Sequence, residues 1–327
     1  MKTMRILSGM RPSGKLHVGH LSVLSNWLRL QAENDCFFFV ADWHALTTAY
    51  DETEAIRSNT SEMLADWLAV GIDPDKSTVF VQSQVLEHAE LHLLLSMITP
   101  LSWLERVPTY KDQVQQLAAR GKDIATYGFL GYPLLQSADI LIYRADAVPV
   151  GQDQLPHLEL CREVARRFNH LYKLVFPEPQ ALLADTALLP GVDGRKMSKS
   201  YGNEISLSAD PDTVEKRVRM MITDPARIRK HDPGNPEVCN VFAYQGIYNR
   251  DVVGEITAAC REGAIGCVAC KLRLAASLNR FLEPIRERRA RILAEPRFLD
   301  EVMERGREKA TAAARETMDR VRRAIRI

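Results

Sequence analysis

Two short clusters carry much of the chemistry this sequence can perform. His17-Val18-Gly19-His20 sets two imidazoles around a glycine, just after the glycine-rich turn Gly9-Met10-Arg11-Pro12-Ser13-Gly14. If a helix opens there, its free backbone N–H groups favour an anion, and Gly19 lets a nucleotide approach the backbone closely. About 180 residues later comes Lys196-Met197-Ser198-Lys199-Ser200, between Gly194 and Gly202. Two ammonium groups three residues apart in a loop suit contact with the phosphates of a departing pyrophosphate. The overlapping GMRPSGKL segment lacks one element of a P-loop: Leu16 stands where a Ser or Thr hydroxyl would hold magnesium. That nucleotide site is excluded.

A third cluster is Tyr132, Gln136 and Asp139, at i, i+4 and i+7, which one helix face presents together. A buried carboxylate on such a face needs a donor. An indole N–H only donates and a phenol also donates, so the spacing fits a tryptophan or a tyrosine substrate. The fourth cluster is Cys239, Cys260, Cys267 and Cys270. Without an export signal, disulfides are not expected. One C-x2-C pair with helical flanks favours a [4Fe–4S] cluster on four thiolates, with Zn2+ as the alternative metal. Cys36 and Cys161 are expected to fill the core.

The elements that must position these groups change character along the chain. Apolar runs at 4–9, 36–42, 77–83, 147–151 and 181–185 are expected strands, with helical patterns near 19–34, 53–71, 87–103, 128–144 and 154–170. Strands separated by such helices predict an α/β fold with a parallel, Rossmann-like sheet and ligands at the strands' carboxyl ends. After Asn203 no strand is expected; the patterns are helical, broken at 224–237, and end in long helices. The expected division is 1–205 and 206–327. Net charge is +1 over 327 residues, but from Lys271 to Ile327 sixteen Lys and Arg face nine Asp and Glu. A basic tail region on an acidic body can meet a polyanion. No apolar run is long enough to span a membrane, and the start does not read as a signal peptide, so the cytoplasm is the expected compartment.

HxGH near the N-terminus with KMSKS at the end of an α/β region resembles the class I aminoacyl-tRNA synthetases. The runs ADILIYRADAVPVGQDQLPHLELCREVARRFN (138–169), VADWHALTT (40–48) and SGMRPSGKLHVGH are similar to the bacterial tryptophanyl branch. The tyrosyl enzymes share the Y-x3-Q-x2-D pattern but more typically carry a double glycine where Val150-Gly151-Gln152-Asp153-Gln154 stands here. The resemblance implies tryptophan–tRNA ligation with ATP and Mg2+, tRNA(Trp) as partner, a homodimer, and an anticodon-binding helical region. It also implies His17, His20, Lys196 and Lys199 as catalytic residues. The implied ATP contacts are Arg11, Pro12, Ser13, Gly19, His20, Gly151, Gln152, Asp153, Lys196, Met197, Ser198, Lys199 and Ser200. For the amino acid it implies Asp139 as acceptor of the indole N–H, with Tyr132, Gln136, His44, Gln154, Val148, Val150 and Leu7 lining the pocket. Leu7 and Gln136 stand where many relatives have Phe and Met. A similar four-cysteine pattern occurs in a subset of the branch that carries the iron–sulfur cluster beside the anticodon-binding region. The competing expectations are a tyrosyl-tRNA synthetase, a small HxGH nucleotidylyl transferase, and a non-catalytic RNA-binding relative.

Overall fold

Five strands form one parallel sheet in the order β3-β2-β1-β4-β5 in this computed structural model, which describes residues 3–108, 110, 124–183 and 189–327. They are β1 (Arg5–Met10), β2 (Asp35–Val40), β3 (Ser77–Val81), β4 (Ala147–Val150) and β5 (Gln180–Leu183). All five expected runs are strands; the end of the last run, 184–185, lies outside the described residues. Consecutive apolar residues suit strands covered on both faces. Cys36, Phe38 and Val40 join Ile6, Val79 and Val81 in one apolar cluster. Phe37 and Phe39 join Leu7, Phe80, Val148 and Val150 in the other. Strand order reverses between β1 and β4, so the carboxyl ends of these two strands flank the crevice where such sheets bind ligands.

The helices are α1 (Leu21–Gln31), α2 (Asp42–Ala49), α3 (Glu54–Val70), α4 (Glu87–Ser96), α5 (Leu101–Glu105), α6 (Tyr127–Leu130), α7 (Tyr132–Ile142) and α8 (Leu155–Leu171). After the sheet come α9 (Pro211–Met220), α10 (Asn240–Tyr248), α11 (Val253–Arg261), α12 (Cys267–Ala294) and α13 (Pro296–Ile325). Two expected helices are each two. The 87–103 pattern breaks before Pro100, whose ring cannot continue a helix. The 128–144 pattern breaks at Gly131: Thr126 caps α6 through the Phe129 amide at 3.1 Å, and Pro133 takes the first turn of α7.

Helix α13 wraps the sheet. Its first turns place Leu299 and Val302 in the cluster on one face, while Ala310, Ala314, Met318 and Val321 belong to the cluster on the other. The crossing occurs beside the edge strand β3 at Gly306, where an added Cβ would stand 1.7 Å from the Val79 carbonyl oxygen. Backbone cannot yield as a flexible side chain does. Gly306→Ala is therefore expected to cost about 3 kcal/mol of stability by overpacking. A lowered urea midpoint with unchanged slope would show it; an unshifted midpoint would mean that α13 slides freely along β3.

Candidate active site

A pocket of about 350 Å³ opens at the β1–β4 crevice. Val148 and Val150 of β4 and Leu7 of β1 form its apolar wall; Tyr132, Gln136 and Asp139 enter from α7, His44 from α2, and Gln154 from the turn after β4. All eight residues expected around the amino acid line this one cavity, together with Arg11, Phe129 and His157. The Tyr132 hydroxyl lies 3.4 Å from His157 Nε2.

Asp139 is buried at 1% exposure, yet its carboxylate is well supplied with donors. Oδ1 accepts from Gln82 Nε2 at 2.8 Å and lies 2.7 Å from His88 Nδ1; Oδ2 lies 2.8 Å from His44 Nε2. His88 Nε2 in turn meets the Tyr143 hydroxyl at 2.7 Å. Burial pushes the Asp139 carboxyl up, but hydrogen bonds from His44 and His88 outweigh it and hold the group below the ordinary carboxylate range. The acid is ionised and can only accept. Gln82 and His88 are not legible as site residues, because no motif or regular spacing links 82 and 88 to 139; Tyr143 stands four residues after Asp139, a helical spacing that could have found it.

The second group of expected residues gathers beside this pocket. His17 and His20 bracket the short turn Val18–His20, with ring centroids 3.8 Å apart, and the His17 amide donates to His20 Nδ1 at 3.1 Å. The lysine loop reaches them because its tail is stitched alongside: Val18 N donates to Ile205 O and Leu207 N to Leu16 O, both at 2.9 Å. Lys199 Nζ donates to the Ser13 carbonyl at 2.5 Å. Gly19 has the close neighbours that its place in the motif suggests, the His17 ring and Met197 Sδ. Arg11 lines the pocket and donates to Thr48 Oγ1 of α2. Pro12 is buried in the turn, and Gly151, Gln152 and Asp153 lie at the carboxyl end of β4. Lys196 is exposed on the same loop, and Ser200 follows Lys199 in its turn, its side chain outside the described residues.

Asn203 braces that loop. Its Oδ1 accepts from the Ser198 amide at 2.8 Å, while Nδ2 donates to Asp193 Oδ1 at 2.7 Å and to the Lys196 carbonyl at 3.2 Å. From the other side, Asp66 Oδ2 accepts the Leu16 amide at 2.6 Å, and Asp66 Oδ1 is paired with Arg289 Nε of α12 at 2.7 Å. The residue preceding the first imidazole is thereby tied to a C-terminal helix.

Both imidazoles are neutral at physiological pH. Burial first and Lys199 second push His17 down to about 4; burial, then His17 and Lys199, push His20 down to about 3. They offer N–H groups rather than positive charge. An unfolded imidazole titrates near 6.5, so below that pH the unfolded chain takes up protons that the folded chain refuses. The stability tied to this pair is complete above 6.5 and falls as pH drops toward about 4 for His17 and about 3 for His20. Denaturant midpoints measured across this range should fall less steeply for a His17→Gln, His20→Gln variant than for the wild type. Equal slopes would mean the pair is already charged in the folded state.

The four cysteines expected as metal ligands come from three elements. Cys239 precedes α10, Cys260 lies near the end of α11, and Cys267 and Cys270 open α12. Burial and then the neighbouring thiols raise Cys260 and Cys270, with Arg227 and Gln245 respectively opposing. Arg227 directs an N–H toward Cys260 Sγ at 3.8 Å, and the Gln245 amide toward Cys270 Sγ at 3.3 Å. Among the described residues, no group of three or more His, Cys, Asp or Glu is already arranged to hold a metal ion. The expected ligand set is thus a neighbourhood of thiols, not a ready-made site. Cys36 and Cys161 are buried in the two apolar clusters.

A parallel sheet with neutral imidazoles after its first strand, and a lysine loop folded back onto them, defines a class I synthetase. Residues 1–283 match the family described as tRNA synthetases class I (W and Y), and the chain belongs to it. Its relatives include a tryptophan–tRNA ligase of Thermotoga maritima, 53% identical with 99% of each chain covered. Another, from Aquifex aeolicus, is 46% identical, covering 99% of this chain and all of the relative. Among solved structures, the tryptophanyl-tRNA synthetase of Campylobacter jejuni complexed with ADP and tryptophan superposes with a TM-score of 0.90. It is 34% identical, with 99% of this chain and 100% of that chain covered.

Proposed function

We propose that the protein is a tryptophan–tRNA ligase, which activates L-tryptophan with ATP and loads it onto tRNA(Trp). The observation that carries this reading is an ionised, buried Asp139 in a pocket beside the neutral imidazole pair and Lys199. In the first step, a tryptophan carboxylate oxygen attacks the α-phosphorus of ATP. The bond to the bridging oxygen breaks, and pyrophosphate leaves. The nucleophile is already ionised at neutral pH, so no general base is needed. The work lies in holding two anions together and balancing charge on the phosphates. Arg11, Pro12, Ser13, Gly19, His20, Gly151, Gln152, Asp153 and the loop Lys196–Ser200 are assigned to ATP, with Mg2+ arriving on the nucleotide. His17 and His20 donate N–H bonds, and Lys196 and Lys199 supply positive charge. In the second step a ribose hydroxyl at the tRNA terminus attacks the adenylate carbonyl and AMP departs.

Residues 206–327 are assigned to anticodon-side tRNA contact, with 1–205 as the catalytic part, and the basic balance after Lys271 supports this. A homodimer is part of the same reading, supported by the exposed Leu93 on α4, Met97 at its end and Leu101 at the start of α5. The cytoplasm is the assigned compartment; among the described residues no helix is long and apolar enough to cross a membrane. Cys239, Cys260, Cys267 and Cys270 are assigned to a [4Fe–4S] cluster, with Zn2+ the rival. Support comes from the clustered thiols and from the N–H groups aimed at two of the sulfurs, a contact that favours bound thiolate. Such a cluster would brace the tRNA side. Visible absorbance with iron and sulfide analysis of anaerobically purified protein decides between the metals.

ATP–pyrophosphate exchange with tryptophan, with tyrosine and without amino acid tests the main reading. Exchange driven by tryptophan alone is expected. Exchange driven by tyrosine would keep the mechanism and overturn the specificity, and no exchange would favour a non-catalytic RNA-binding protein.

A further inference from the structure

The acceptor in the amino-acid pocket rests on residues that do not themselves line it. Gln82 and His88 are fully buried, and both point at the same oxygen of Asp139. His88 sits among the rings of Phe39, Phe80 and Tyr143, with centroids 6.1, 6.1 and 5.3 Å away. In so apolar a box a hydrogen bond is strengthened and an unpaired polar group is costly.

We propose that Gln82, His88 and Tyr143 are positioning residues that make Asp139 an ionised acceptor with one outward lone pair, and so set the preference for a side chain bearing an N–H group. The inference rests on the tryptophan reading above. Oδ1 is filled by two buried donors, which leaves Oδ2, shared with the pocket-lining His44, as the oxygen open to a ligand. A carboxylate requires the His88 Nδ1 to carry the proton. Its Nε2 then accepts from the Tyr143 hydroxyl, which burial keeps protonated. The phenol thereby holds the imidazole ring in the tautomer that the carboxylate requires, and the imidazole holds the carboxylate rotamer. Without these donors, Asp139 could turn, or take up a proton and become a donor itself. A pocket in that state would no longer distinguish an indole from an isostere lacking the N–H.

The test uses the full-length protein with L-tryptophan and its benzothiophene isostere, in which sulfur replaces the indole N–H. Equilibrium binding and pyrophosphate exchange are measured for wild type, His88→Gln, His88→Asn and Gln82→Met. Asn can return an N–H near the Nδ1 position, whereas Gln reaches toward Nε2. The ratio of tryptophan to isostere is expected to fall about tenfold or more in His88→Gln and Gln82→Met, the effect of losing one charge-assisted bond. KM for ATP should stay within about twofold, since only amino-acid recognition is touched. His88→Asn should restore the ratio. A role that only fills the core predicts equal losses for both ligands, and that result overturns the proposal, as does an unchanged ratio in both deleted variants. Gln82→Met carries the test if His88→Gln fails to fold. Wild-type protein without tryptophan-dependent exchange would remove the tryptophan reading and this proposal with it; tryptophan-dependent exchange with unaltered ratios removes only the proposal.

Discussion

Asp139→Ala is expected to lower kcat/KM for tryptophan in pyrophosphate exchange by about 10³- to 10⁴-fold, because a site built around a substrate donor loses its acceptor. The change also strands the N–H groups of Gln82, His88 and His44, which now converge on one carboxylate. Removing one member of such a buried charged network typically costs about 3–5 kcal/mol of stability. Asp139→Asn separates the two effects. It keeps the shape, but its NH2 must face either the buried donors or the ligand, so discrimination should fall with a smaller stability loss. Exchange rates with tryptophan and phenylalanine, alongside denaturant unfolding, check both. An Asp139→Asn protein with an unaltered tryptophan-to-phenylalanine ratio would show that the carboxylate is structural and that recognition lies elsewhere in the pocket.

The second large effect is expected at Lys199. Its Nζ rests on the Ser13 carbonyl, close enough to the two imidazoles that its charge lowers both. Burial depresses the Lys199 ammonium itself, opposed by Asp66 and Glu204. Because His17 and His20 are neutral, the positive charge beside them comes from this ammonium, which the proposed mechanism sets against the departing pyrophosphate. Lys199→Ala should therefore lower the single-turnover rate of adenylate formation by about 10²- to 10³-fold, the usual loss for one preorganised electrostatic donor. Tryptophan binding should be preserved, since Lys199 does not line that pocket. A variant with normal single-turnover rate and only a raised KM for ATP would mean that Lys199 binds the ground state and the transition state equally.

Much of this architecture is legible in short stretches of chain. Phe37–Phe39 and Val79–Val81 announce doubly covered strands by unbroken apolar runs. The i, i+4, i+7 spacing of Tyr132, Gln136 and Asp139 places all three on one wall, and they do line one pocket. Where the local pattern misleads, at 87–103 and 128–144, Pro100 and Gly131 interrupt helices that apolar periodicity alone would continue. Helix α2, which carries His44, was not among the expected helices; the stretch holding it stood out only by resemblance.

What the sequence determined by itself is the chemistry within a few residues of each motif: helix faces, buried strands, the imidazole pair and the lysine loop. These follow from periodicity and from backbone geometry that acts over one or two turns. The tertiary structure alone decided which distant groups meet. It placed His88 between Asp139 and Tyr143, tied Leu16 through Asp66 to Arg289, and bent Lys199 back to Ser13. It also placed four thiols from three elements near one another without completing a ligand set. The reason is that such contacts depend on how helices pack across a sheet. That packing follows from summed burial over whole faces, and no local spacing records it.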